Sequence, residues 1–127
     1  MLRHLTIRDF VIVDRLELEF AAGFGALTGE TGAGKSILID ALALALGERA
    51  DAGVVRAGCD KADVAATFDI GKLPQVGAWL AANDLEAEDE VILRRVLDAG
   101  GRSRGYINGS PATAQQLREV GEFLVDI

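Results

Sequence analysis

An α/β fold built round a phosphate-binding loop is what this sequence predicts, on three observations. Gly29-Glu30-Thr31-Gly32-Ala33-Gly34-Lys35-Ser36 matches G-x-x-x-x-G-K-[ST] at every fixed position. Phe24 to Thr28 before it reads as a buried strand, and Ile37 to Leu46 after it, apolar but for Asp40, reads as a helix ending at Gly47. Elsewhere, stretches alternating between apolar and polar residues read as half-exposed strands in antiparallel pairs.

The motif's spacing has a physical reason. Glycines let the backbone curl so that several N–H groups converge on one anion. The helix that follows adds unpaired N–H groups and the positive end of its dipole. Lys35 is placed to reach the β- and γ-phosphates, and Ser36 to offer its hydroxyl to Mg²⁺. These residues therefore predict a P-loop NTPase that binds a nucleoside triphosphate.

Composition sets the outer limits. The 127 residues suffice for one domain or a piece of one, and half are hydrophobic, enough for a core. The formal charge of −7 argues against a protein that coats nucleic acid with its whole surface, though not against a local basic patch. A single cysteine, Cys59, excludes an internal disulfide and suits a reducing compartment. With no run of about 18 apolar residues and no signal-peptide pattern at the start, the expectation is a cytoplasmic protein with no membrane partner.

Taken in order, Leu2 to Ile7 is a first strand and Asp14 to Phe20 a second, with Leu16, Leu18 and Phe20 on one face and Glu17 and Glu19 on the other. Asp9 to Val13 forms the bend, and Ala21 to Gly23 turns the chain toward the P-loop strand. His4, the only histidine, reads as a surface residue on an edge strand. The helix from Lys35 to Leu46 is apolar nearly all round and so is expected to be buried on most sides. Asp40 either bonds locally or faces the site. Glu48 to Lys61 is a polar connection in which Arg56 is either a solvated loop residue or one facing phosphate or DNA.

Asp63 to Ile70 alternates as a further strand. Leu73-Pro74 opens a short helix with Val76, Trp79, Leu80 and Asn83 on one stripe. Trp79 suits a core anchor better than a base-stacking platform. Val91 to Leu97 and Arg102 to Asn108 pair through the turn Asp98-Ala99-Gly100-Gly101. This hairpin carries Arg94, Arg95, Arg102 and Arg104, four of the thirteen basic residues. Arg102, Arg104 and Tyr106 share a face by alternation. Two readings fit them: contact with a polyanion or a partner's carboxylates, and protection of an edge strand. Asn108-Gly109 is a tight turn. Thr113 and Gln116 form a capping box at a helix start, Leu117 and Val120 face inward, Gly121 terminates the helix, and Phe123 to Ile127 reads as a buried strand.

Hydrolysis needs more than a phosphate cradle: a second carboxylate on Mg²⁺ and a group to position water. From the residues alone, Asp126 is the one candidate for the metal. Ending on a buried strand, the chain reads as a piece of a larger catalytic unit.

Ile7-Arg8-Asp9-Phe10, Val11-Ile12-Val13-Asp14, Leu27 to Leu42 through the P-loop, Gly101 to Gly109 and Leu124-Val125-Asp126-Ile127 resemble the start of the RecN family, bacterial double-strand-break repair ATPases related to the structural-maintenance-of-chromosomes proteins. The resemblance implies the N-terminal half of an ABC-type ATPase head, with an antiparallel β-subdomain on an α/β core, spanning 1–127. A coiled coil and a C-terminal half carrying the signature motif, the Mg-binding Asp and the catalytic Glu would complete it. Asp126 then loses its metal role, and no catalytic residue is expected in this chain. Arg56 matches an arginine loop of related heads that approaches nucleotide or DNA. The implied cofactors are ATP and Mg²⁺. The implied partners are the C-terminal half of the head, a second head in an ATP-dependent dimer, and DNA in the nucleoid. Hydrolysis by the complete protein would control DNA tethering, while this chain alone would be inactive. The alternative is the ATP-binding subunit of an ABC-type transporter.

Overall fold

A computed structural model describes residues 2–11, 13–19, 32–49, 52–71, 73–85 and 89–124. Among these, the strands are β1 (Leu2–Phe10), β2 (Val13–Glu19), β3 (Lys61–Asp69), β4 (Glu90–Asp98), β5 (Ser103–Ile107) and β6 (Ser110–Ala112). The helices are α1 (Gly32–Ala45), α2 (Pro74–Ala82) and α3 (Ala114–Leu124). The strands form one antiparallel sheet in the order β2-β1-β3-β4-β5-β6.

Alternation decides which face is covered. Ile7, Val64, Leu93 and Ile107 point to one side and are fully buried with Leu117 of α3 and Ala41 and Leu44 of α1. The other side stays open to solvent among the described residues, which is why these strands read as half-exposed. The expected strand Phe24 to Thr28, the turn at Ala21 to Gly23, and Val125 to Ile127 with Asp126 lie outside the described residues.

β1 runs on through Phe10, so the first bend is tighter than expected. Asp9 and Val11 take positive φ, 51° and 55°. Such a conformation costs a β-branched residue free energy, and the neighbouring loop holds it. Val11 N–H donates to the Val54 carbonyl at 2.7 Å, Phe10 bridges Val55, and Arg56 N–H donates to the Asp9 carbonyl at 2.8 Å. A 3₁₀ turn, Ala52–Val54, leads into this clasp. β1 lies between β2 and β3, so His4 is not on an edge strand. It sits half-buried on the open face, with Nε2 3.1 Å from Thr6 Oγ1 and 3.5 Å from Glu17 Oε1.

α1 begins at Gly32, inside the P-loop motif, rather than at Lys35. Its end is a Schellman motif: Gly47, at φ 95°, donates to the Leu44 carbonyl and Glu48 N–H to that of Ala43. The expectation that α1 is buried on most sides needs correcting. Ala41, Leu44 and Ala45 pack on the sheet, but Ile39 is 64% exposed and Asp40 faces outward, because the described residues cover only one side of the helix.

α2 buries Val76 and Leu80, with Trp79 packed part-buried beside the core. The β4–β5 turn is held by Asp98 Oδ1, which accepts the N–H groups of Gly100 and Arg102, both at 2.9 Å. Asn108 and Gly109, both at positive φ, make a two-residue hairpin into β6, a strand too short to announce itself in the sequence. The capping box is as expected: Gln116 N–H donates to Thr113 Oγ1 at 3.0 Å, and Thr113 N–H to Gln116 Oε1 at 2.9 Å.

Two expectations near the end fail. Gly121 does not stop α3; it is buried within it, facing the end of α1, and a Cβ there would lie 3.1 Å from Leu46 Cδ2. Close helix approach, not termination, favours a residue without a Cβ here. Phe123 and Leu124 complete this helix instead of starting a strand.

Candidate functional site

The phosphate end comes first. Gly29, Glu30 and Thr31 lie outside the described residues. Gly32, Ala33, Gly34, Lys35 and Ser36 are described as backbone, and they form the opening turns of α1. No acidic residue occupies the first turn, so no side-chain carboxylate in it offsets the positive end of the helix dipole. This is the arrangement an anion-binding helix start requires.

What holds α1 in place is a residue that sequence reasoning assigned elsewhere. Arg95 was grouped with its neighbours, either as a contact for a polyanion or a partner's carboxylates or as protection of an edge strand. The structure turns it to the opposite face, where it is 5% exposed. Its Nη1 donates to the carbonyls of Leu44 and Glu48, both at 3.0 Å, and its Nε to Ser103 Oγ at 2.7 Å. A guanidinium thus sits at the C-terminal end of the P-loop helix, where the dipole favours a cation. Burial, with Arg118 nearby, pushes its pKa down from the ordinary arginine value. Strand parity was the available signal: Arg95 shares its side of β4 with Val91, Leu93 and Leu97.

The remaining hairpin arginines lie on the open face as expected. Arg94 grips Asp63 with a two-pronged contact, Nε to Oδ1 at 3.0 Å and Nη2 to Oδ2 at 2.6 Å, and its guanidinium carbon lies 5.5 Å from the Tyr106 ring centre. The hydrogen bonds to Asp63 push the Arg94 pKa up. Arg94, Arg102, Arg104 and Tyr106, with Lys61, Val96 and Asp98, line a hollow of about 210 Å³.

Arg56 is half-exposed beside the first hairpin. Its Nη1 lies 3.4 Å from Asp14 Oδ1 and 3.8 Å from Asp9 Oδ1. A larger cleft, about 500 Å³, lies between this hairpin and α1, lined by Phe10, Val11, Asp40, Leu44, Arg49 and Val54 among others. Asp40 therefore faces a cleft, but one along the C-terminal half of α1 and away from the turn that opens at Gly32. Among the described residues no group of three or more His, Cys, Asp or Glu could hold a metal, and no helix is long and apolar enough to cross a membrane.

The AAA domain family model matches residues 4–113. The chain belongs to the AAA domain family. It is 48% identical over 127 residues to DNA repair protein RecN of Vibrio cholerae, and 39% identical over 128 residues to that of Bacillus subtilis. Both alignments take in the whole of this chain, which spans 23% and 22% of those proteins' lengths. The resemblance to RecN found in the motifs is borne out, and the relatives do not favour the transporter alternative.

Among solved structures, one from work on ATP-driven dimerization and DNA-stimulated activation of SMC ATPases matches 97% of this chain and 78% of its own, with TM-score 0.75 and 24% identity. The recombination mediator RecF-ATPrS matches all of this chain and 30% of its own, with TM-score 0.62 and 17% identity. These likenesses show the fold: the expected P-loop NTPase head class.

Proposed function

We propose that this chain is the N-terminal, ATP-binding lobe of an ATPase head acting in DNA repair. One observation carries the reading: a complete P-loop motif whose last five residues open α1, in a chain related along its whole length to RecN. The backbone from Gly29 to Gly34 would cradle the phosphates, Lys35 would hold their terminal charge, and Ser36 would give Mg²⁺ one oxygen. The donor set fits that ion, which keeps several waters and draws ligands from substrate phosphates rather than from a protein cage. Mg²⁺ would supply neutralisation of charge on the phosphates. Arg56, presented beside the hairpin by Asp9 and Asp14, would extend toward nucleotide or DNA.

The rest of the head, a second head in an ATP-dependent dimer, and DNA in the nucleoid are the partners this reading requires. Hydrolysis by the complete cytoplasmic protein would govern DNA tethering, and this lobe alone would not turn ATP over usefully. Binding of a fluorescent ATP analogue with Mg²⁺ tests the proposal. Losing a charged hydrogen-bond donor to phosphate costs about 1.5–3 kcal/mol, so Lys35→Ala should weaken binding about tenfold to a hundredfold. Equal affinity for parent and variant would remove the P-loop as a working site.

A further inference from the structure

The open face of the sheet carries its charge unevenly. The registers bring Arg15 of β2 opposite Arg8 of β1, Arg8 opposite Asp63 of β3, Asp63 opposite Val96 of β4, and Val96 opposite Arg104 of β5. This row crosses four strand spacings, roughly 19 Å. Arg94, Lys61 and Arg102 flank it in the hollow already described. Against these cations stand Asp63, engaged by Arg94, and Asp98, whose Oδ1 accepts two turn amides. Glu17, whose Oε2 lies 3.7 Å from Arg15 Nη2, and Glu19 lie further along the same face, beside His4.

Two features make the row more than a solvated surface. First, Arg8 and Arg15 are directly opposed, an arrangement that costs stability in an antiparallel pair. Among the described residues Arg8, Lys61, Arg102 and Arg104 have no ion-pair partner, in a chain whose acidic residues outnumber basic ones by twenty to thirteen. Second, edge protection accounts for only part of it: Arg15 is on the edge strand β2 and Arg104 lies beyond the pairing of β6, but the rest is not at an edge. β1 and β4, which carry Arg8 and Arg94, are both paired on both sides.

We infer that this end of the open sheet face, centred on Arg8, Arg15, Lys61, Arg102 and Arg104, binds the phosphodiester backbone of nucleic acid without reading sequence. A band of cations spread across five strands suits a regularly spaced polyanion, and the one aromatic in the hollow, Tyr106, is already occupied by Arg94. The surface lies on the opposite side of the sheet from α1. It therefore does not depend on the nucleotide reading.

The test is fluorescence anisotropy of a labelled mixed-sequence DNA duplex, titrated with the 127-residue chain, without nucleotide, across a salt series. Arg102→Ala/Arg104→Ala and Arg8→Ala/Arg15→Ala should each weaken binding on the order of tenfold at low salt and flatten the slope of log affinity against log salt by about two. Arg8→Ala/Arg15→Ala should do so with no loss of melting temperature, since it relieves a like-charge pair. Two results would overturn the inference: folded variants that bind duplex with the parent's affinity and salt slope, or labelled polyglutamate bound as tightly as duplex, which would mark the face as a site for an acidic protein.

Discussion

Replacing Arg95 with methionine keeps the length and the apolar stem and removes the guanidinium. Three contacts go, but they are not equivalent. The Leu44 carbonyl keeps the Gly47 N–H at 3.1 Å, so it loses only a second donor. The Ser103 oxygen also loses a donor, but on an exposed residue, where water can take its place. The Glu48 carbonyl loses its Arg95 donor altogether, but it is only part-buried and belongs to an exposed residue, so water can replace part of the bond and its cost falls at the low end of the about 1–3 kcal/mol of an orphaned acceptor. Against this, the buried cation has no carboxylate among its recorded partners, and removing it recovers some desolvation cost, the effect that already depresses its pKa. The balance should be a loss of about 1 kcal/mol, which at a urea m-value of about 2 kcal/mol/M lowers the midpoint by about 0.5 M. Arg95→Lys should fall between, since one ammonium cannot span two carbonyls and a hydroxyl with the geometry of a planar fork. Urea unfolding followed by circular dichroism reads both. An Arg95→Met midpoint equal to or above the parent's, at unchanged m, would show that the arginine does not secure the end of α1.

Three further outcomes follow from other parts of the fold. Gly105→Ala places a Cβ 2.8 Å from Leu117 Cδ1 and 2.9 Å from the Ala112 carbonyl, so the Leu117 side chain must turn aside and the β6 backbone must shift; a loss of about 1–3 kcal/mol is expected by urea unfolding, and a neutral result would refute that close approach. Thr113→Ala removes one half of the reciprocal cap and should cost about 1 kcal/mol, read the same way, with Thr113→Ser restoring it. The Asp69 carboxyl is held below its ordinary 3.8 by the Gly71 N–H, with Arg3 assisting. Because the folded value is the lower one, its stabilisation is present above 3.8 and disappears as pH falls through the depressed folded value. The melting-temperature gap between parent and Asp69→Asn should therefore close on acidification, and a gap that stays constant from neutral to acid pH would contradict the assignment.

How much of this was legible in the sequence depends on the range of the interaction involved. The capping box at Thr113 and Gln116, the Asp98 turn and the Asn108-Gly109 hairpin are written within a few residues, and each was readable. The P-loop is local in the same sense, and its helix was expected, though three residues late at its start. Gly121 was misread because its reason is Leu46, far back in the chain. Local grammar offers only termination for a glycine near the end of a helix pattern. The clasp of Val54, Val55 and Arg56 on the first hairpin, and the opposition of Arg8 and Arg15, depend on register, which pairs residues that composition cannot connect. The protein's division into inner and outer arginines falls between these cases. Strand parity separates Arg94 from Arg95, yet clustered charge in an acidic chain invites pooling them.

That adjacent pair bears on how the sheet keeps its register. A slip by one residue turns every side chain of a strand to the other face. In β4 such a slip would exchange Arg94 and Arg95, so a guanidinium would still reach α1 and another would still meet the open face. The arginines by themselves therefore discriminate poorly between the two registers. The discrimination comes from their neighbours. Slippage would expose Val91, Leu93 and Leu97, all fully buried, and carry Asp98 inward toward Ala62 and away from the turn amides it accepts. Aliphatic burial on one side and the Asp98 turn at the end thus fix the frame, and within it each arginine acquires a separate task. One secures the helix that opens with the P-loop, and the other stands in the basic end of the open face.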